Sequence, residues 1–123
     1  MELRGLSEQV IGAGIEVHRT LGAGLLESVY LACLGLELEL AGIPSRRQVA
    51  LPVRYKGLAV PLGFRADMIV DETIVVEVKA VPTILPVHEA QLLTYLRLSG
   101  LRVGLLMNFH APRLKDGLKR LVL

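Results

Sequence analysis

Between Thr73 and Phe109 the chain reads strand, helix, strand, and this order constrains the fold more than any other feature. The segment "TIVVEVKA", Thr73 to Ala80, opens on β-branched residues suited to a strand. "PVHEAQLLTYLRLS" follows as a helix, with Pro86 in its first turn and Gly100 at the C′ position. "LRVGLLMNF" is then a nearly continuous apolar run, as expected of a strand covered on both faces. Two strands joined through a helix pair in parallel by a right-handed crossover. The chain is therefore read as α/β.

The upstream half supplies the remaining elements. From about Leu6 to Leu21 the pattern is helical, with Ser7 as N-cap and Val10, Ile11, Ile15 and His18 along one side. Gly22-Ala23-Gly24 breaks it. A second helix runs from about Leu25 to Ala41, with Leu26, Val29, Cys33, Leu36 and Leu40 as its stripe; Gly42 and Pro44 end it. "QVALPVRY" and "LAVPLGFRADMIV" flank Lys56-Gly57, a two-residue hairpin signal. In that register Pro52 faces Pro61 at a non-hydrogen-bonded site, where neither missing N–H is needed. The order is α-α-β-β-β-α-β, a small sandwich with a mixed sheet, in one domain over residues 1–123. The tail "LKRLVL" fits a strand or a short helix.

With 52% hydrophobic residues and only 4% aromatic, Leu, Val, Ile and Ala must fill the core. No stretch approaches the roughly 18 charge-free apolar residues of a membrane span. The start, "MELRGLSEQV", lacks the apolar centre of a signal peptide. A cytoplasmic protein without a membrane partner is expected. The single cysteine, Cys33, reads as a buried thiol, and no Cys or His cluster suggests zinc. A net charge of +2 does not announce nucleic acid. From Arg102 to Leu123, five cations face the single acid Asp116; a solvated tail or a phosphate-binding margin would explain them.

The charges within "GFRADMIVDETIVVEVKA" ask for another explanation. Strand alternation puts Arg65, Asp67 and Ile69 on one face, and Glu77 and Lys79 on the face of Val75. A three-residue loop, Asp71-Glu72-Thr73, places Asp67 opposite Glu77, their Cβ atoms within about 5.5 Å; a two-residue loop would put them on opposite faces. Alone, two such carboxylates repel. A divalent cation between them turns that cost into a binding site, and Mg²⁺ often takes only one or two carboxylates, with water and a phosphate completing its shell. Lys79 could orient or deprotonate an attacking water, or neutralise charge on a pentacovalent phosphate. The plain alternative is a salt-bridge cluster in which Lys79 and Arg65 neutralise Asp67 and Glu77.

Asp67 followed by Glu77-Val78-Lys79 on the next strand resembles the PD-(D/E)XK nuclease pattern, with Ala66 in place of its proline. "GLLESVY", through Gly24, Glu27 and Tyr30, is similar to the signature of the small bacterial GxxExxY proteins, a branch of that superfamily. The likeness takes in "FRADMIV", "VVEVKAV", "HEAQLLTYLRLSGLRVGLLMNF" and "LKDGLKR", nearly the whole chain. It implies a restriction-endonuclease-like three-layer sandwich and a nuclease. It also implies that Asp67, Glu77 and Glu27 hold Mg²⁺, with Mn²⁺ as an alternative, that Lys79 assists the chemistry, and that Gln91 reaches the site. Tyr30, Tyr95 and Arg65 would support them. From the residues alone, Glu27 reads as a solvated charge at a helix start, and His88, Gln91 and Tyr95 are a polar stripe on a Leu-rich helix, with His88 read as structural.

Two functions compete. One is a metal-dependent nuclease that hydrolyses phosphodiester bonds of nucleic acid by an activated water, with DNA the expected substrate and the residues not separating it from RNA. The other is a nucleic-acid-binding or scaffolding protein that keeps the fold without cutting. The intact Asp, Glu and Lys favour the first; the near-neutral charge and the lack of a DNA-reading element favour the second. A homodimer is expected, because one chain carries one site and a strongly apolar short chain has much surface to cover.

Overall fold

In the computed structural model, residues 3–123 are described, apart from the side chains of Pro61 and Leu62. Helices α1 (Leu3–Leu21) and α2 (Glu27–Leu40) precede strands β1 (Ser45–Tyr55), β2 (Leu58–Val70) and β3 (Ile74–Lys79). Helix α3 (Pro86–Ser99) leads to β4 (Val103–Asn108), a 3-10 turn at Leu114–Gly117, and β5 (Leu118–Val122). The tail "LKRLVL" is thus a strand, and the 3-10 turn precedes it. The sheet order is β1-β2-β3-β4-β5. Only β3 and β4 are parallel, from Ile74↔Val103 to Lys79↔Asn108, as the strand–helix–strand order requires. β5 returns antiparallel to β4.

The sheet has a core on each face. On one side α1 and α2 bring Leu6, Val10, Leu34 and Leu38 against Met68 and Val76. On the other α3 brings Leu92, Tyr95 and Leu96 against Ile69, Val75 and Leu106. The result is the expected three-layer sandwich.

Two helix readings are corrected. α1 begins at Leu3, so Ser7 is not its cap but a buried residue within it, its hydroxyl unpaired. Ile15 is 43% exposed, and Val17 takes the core position. In α2 the core side is Tyr30, Leu31, Leu34 and Leu38, while Leu26, Leu36 and Leu40 face outward. Both sides of this helix are apolar, so periodicity alone could not choose between them.

The hairpins obey their turn chemistry. Lys56 and Gly57, at φ 50° and 80°, form the two-residue β1–β2 turn. The register is as read near that turn, from Tyr55↔Leu58 to Val53↔Val60, and shifts beyond it to Leu51↔Phe64. The Pro52–Pro61 pairing rests on Pro61, whose side chain lies outside the described residues. Gly63 is obligatory in the bulge, because a Cβ there would collide with the Leu51 carbonyl oxygen. Between β2 and β3 the loop is Asp71-Glu72-Thr73, giving the register Val70↔Ile74 to Met68↔Val76.

Candidate active site

The β2–β3 ladder gives way one step beyond Met68↔Val76, where Asp67 follows on β2 and Glu77 on β3. There the side chains take over from the backbone pairing. The Asp67 N–H donates to Glu77 Oε1 at 2.9 Å, and the Val78 N–H donates to Asp67 Oδ2 at 2.9 Å. The two carboxyl groups also lie within hydrogen-bonding reach of each other.

The cause is a slip in strand alternation. Met68 packs on the α1/α2 side, yet Ala66, two residues earlier, lies in the α3-side core with Ile69. Phe64, two residues before that, meets the Tyr95 ring at 5.7 Å. On β1, Arg47 and Val49, opposite Met68 and Ala66, bracket Gln48 at φ 52°. Asp67 therefore stands where the faces exchange, and its carboxylate reaches the β3 backbone. Arg65 does not share the face of Ile69 as regular alternation would have it; it is exposed and paired with Ala50.

Glu77 is only 3% exposed within the buried run of β3. Desolvation, and next the Asp67 charge, push its carboxyl up to about 8, against the partial relief of the Asp67 N–H and Lys79. Desolvation likewise raises Asp67, and Glu27 adds repulsion, while the Val78 N–H and Lys79 pull it down. Tyr95 is pushed up to about 12 by desolvation and by the charges of Glu77 and Asp67, with the Gln91 side chain acting in the other direction. Tyr95 therefore neighbours the pair from α3 and keeps its proton, while Gln91 reaches the Tyr95 hydroxyl and no contact of Gln91 with either carboxylate is seen among the described residues. Five ion pairs occur among the described residues, and none includes Asp67, Glu77, Lys79 or Arg65. The salt-bridge cluster is not formed.

Glu27 arrives from the other layer. It opens α2, and its Oε2 accepts the Ala80 N–H at 2.8 Å, one residue past Lys79. The residues around it explain how it is presented. Gly24 turns the chain at φ 101°. Tyr30 donates to the Gly22 carbonyl at 2.6 Å, accepts the Leu25 N–H at 3.0 Å, and stacks on Phe109 at 4.4 Å. Tyr30 is fully buried, so it pins the α1–α2 loop and does not line the site. Among the described residues no group of three or more His, Cys, Asp or Glu is gathered as a metal cluster. The candidate ligand set is thus two strand carboxylates, with Glu27 engaged on the backbone beside them.

The sequence profile of the PD-(D/E)XK nuclease superfamily matches residues 4–121. The chain belongs to this superfamily. Comparison with curated proteins and with solved structures gave no match. Membership supports a nuclease-type function in general, acting on nucleic acid, in a group whose members generally use divalent metal ions. No described helix is long and apolar enough to cross a membrane.

In this PD-(D/E)XK chain, one supporting residue carried almost no sequence signal. Asn108 ends β4 opposite Lys79 and is 5% exposed. Its Nδ2 donates to the Val81 carbonyl at 2.9 Å, and its Oδ1 accepts the N–H groups of Val81 and His110 at 3.1 and 3.2 Å. It thereby fixes the exit of β3 behind Lys79. The only clue was a polar residue closing an apolar strand. His88 is held at the start of α3, where its Nδ1 accepts the Leu85 N–H at 2.9 Å. A concavity of about 700 Å³ lies elsewhere, lined by Gly35, Leu36, Glu39 and Arg47, and contains no candidate site residue.

Proposed function

We propose that this protein is a metal-dependent nuclease that hydrolyses phosphodiester bonds of DNA and works as a homodimer. The observation that carries the reading is the desolvated Asp67–Glu77 pair, whose carboxylates lie against each other with no ion-pair partner among the described residues. A carboxylate pair raised chiefly by desolvation fits a hard dication, and two carboxylates suffice for Mg²⁺, or for Mn²⁺ in its place. Asp67 and Glu77 would hold the ion, with Glu27 beside them; bound there, it supplies Lewis-acid neutralisation of phosphate charge.

The chain's own groups do the rest. Val78 N–H and Asp67 N–H hold the carboxylates in orientation, and Glu27 steadies the strand exit at Ala80. Lys79 serves the attacking water or the charge developing on phosphorus. The protonated Tyr95, in the α3-side core, keeps bulk water from the α3 side of the pair. Asp67→Asn, which removes an anionic ligand at nearly constant volume, should abolish cleavage of labelled single-stranded, duplex or branched DNA in Mg²⁺ or Mn²⁺. EDTA should do the same to the unaltered protein, and activity surviving either treatment would exclude this mechanism. The two-carboxylate set also suits a protein that binds without cutting; binding with no cleavage in either metal would select that reading.

The dimer rests on the outward side of α2, where Leu26 and Leu40 are each 73% exposed and Leu36 is 55% exposed. Sedimentation equilibrium at micromolar protein should give twice the 13.4 kDa chain mass. A monomer across the concentration series would leave a single-strand or nicking activity.

A further inference from the structure

The net charge of +2 conceals a strong polarity. Residues 46–66, nearly all of the β1–β2 hairpin, hold five cations, Arg46, Arg47, Arg54, Lys56 and Arg65, and no acid. The rest of the chain holds nine cations against twelve acids. Arg46 is paired with Glu72. The other four are exposed, and none is in an ion pair among the described residues. The C-terminal segment differs: there Arg113 pairs with Asp116 and Lys119 with Glu89.

The hairpin is also longer than the sheet that roots it. β3 pairs with β2 only at Met68, Ile69 and Val70, so β1 and β2 run on from the carboxylate pair as a two-stranded ribbon. Leu51, Phe64 and Ala66 pack its base toward α3. From Arg54 to Val60 every residue is exposed. Ten residues separate Asp67 from the turn at Gly57, about 33 Å at roughly 3.3 Å per residue. One turn of B-DNA is about 34 Å, and its major groove, about 12 Å wide, admits a two-stranded β-ribbon. Edge protection, by lysine above all, explains charges on an exposed hairpin, but four of these five cations are arginines. A ribbon with no acid, extending from the candidate catalytic pair, matches a polyanion that must lie across that pair.

We infer that the β1–β2 ribbon is a DNA-tracking arm, which lies along the duplex and sets its phosphates against Arg54, Lys56 and their neighbours. The inference rests on the nuclease reading for the identity of the polymer, and its test separates the two. The probe is a labelled duplex two helical turns long, bound in EDTA so that nothing is cut, over a potassium chloride series. The variant is Arg54→Gln with Lys56→Asn; neither residue belongs to the site, and Asn-Gly is a preferred pair for this turn. The slope of log Kd against log salt should fall in magnitude by about 2, at roughly 0.9 per lost phosphate contact, with affinity about tenfold weaker at physiological salt. Arg54→Lys should keep the slope. Duplex binding with an unchanged slope in the double variant would overturn the arm and leave the nuclease reading standing. Failure of the unaltered protein to bind DNA would overturn both. A change in sedimenting mass in the double variant, with DNA binding intact, would make the ribbon a contact between copies instead.

Discussion

Replacing Glu77 by glutamine should make the metal-free protein more stable above neutral pH and at the same time abolish cleavage. The folded-state carboxyl titrates at about 8, against an ordinary value of 4.5. The folded state therefore binds the proton more tightly than the unfolded one. That contribution is fully present below pH 4.5 and is lost as pH rises through about 8. The unaltered protein should thus lose stability between pH 5 and pH 9, on the order of a few kcal/mol. Glutamine keeps the Oε1 acceptor for the Asp67 N–H and never ionises, so its Tm profile should be flatter and the two curves should meet near pH 5. Mg²⁺ should raise the Tm of the unaltered protein at pH 8 and leave that of the variant unchanged. Loss of a ligand worth several kcal/mol of transition-state stabilisation lowers turnover by about 10³-fold or more. Thermal melts at several pH values, with and without Mg²⁺, beside a cleavage assay, check each part. A variant less stable at pH 8 would show that the carboxylate is not a strained group.

Asn108→Ala should be the most damaging change outside the candidate ligands. It strips partners from the Val81 N–H, the Val81 carbonyl and the His110 N–H together. At about 1 kcal/mol or more for each backbone group left unpaired, the loss is about 3 kcal/mol, or roughly 10 °C in Tm. Cleavage should fall by about 10- to 100-fold at temperatures where the variant remains folded, because Lys79 and Ala80 lose their backing. A variant that melts lower but cuts at the original rate would restrict Asn108 to stability.

What could be read from the residues divides along physical lines. The β2–β3 loop and the approach of Asp67 to Glu77 followed from strand periodicity and loop length, and the structure has both. The parallel β3–β4 pair followed from a helix lying between two apolar strands. The core side of α2 did not, because Leu34 and Leu38 differ in no local way from Leu36 and Leu40. The face exchange at Gln48 and Asp67 was hidden because a single residue at φ 52° leaves no mark in composition. Tyr30 shared a helix with Glu27 and was read as sharing its site, whereas its hydroxyl is spent on the Gly22–Leu25 loop. The ribbon's charge was hidden by averaging over the whole chain.

The placement of the carboxylates also orders the steps of folding. Asp67 and Glu77 are joined through one short hairpin loop, so their strands can meet early, while both side chains are still hydrated. The parallel β3–β4 pair must wait for the α3 crossover to form and dock. Only then do Tyr95 and the α3-side core close over the pair and remove its water. The repulsion between the two carboxylates is therefore met late, after most of the surface has been buried. It bears little on how fast the chain folds and falls instead on how fast the folded protein opens.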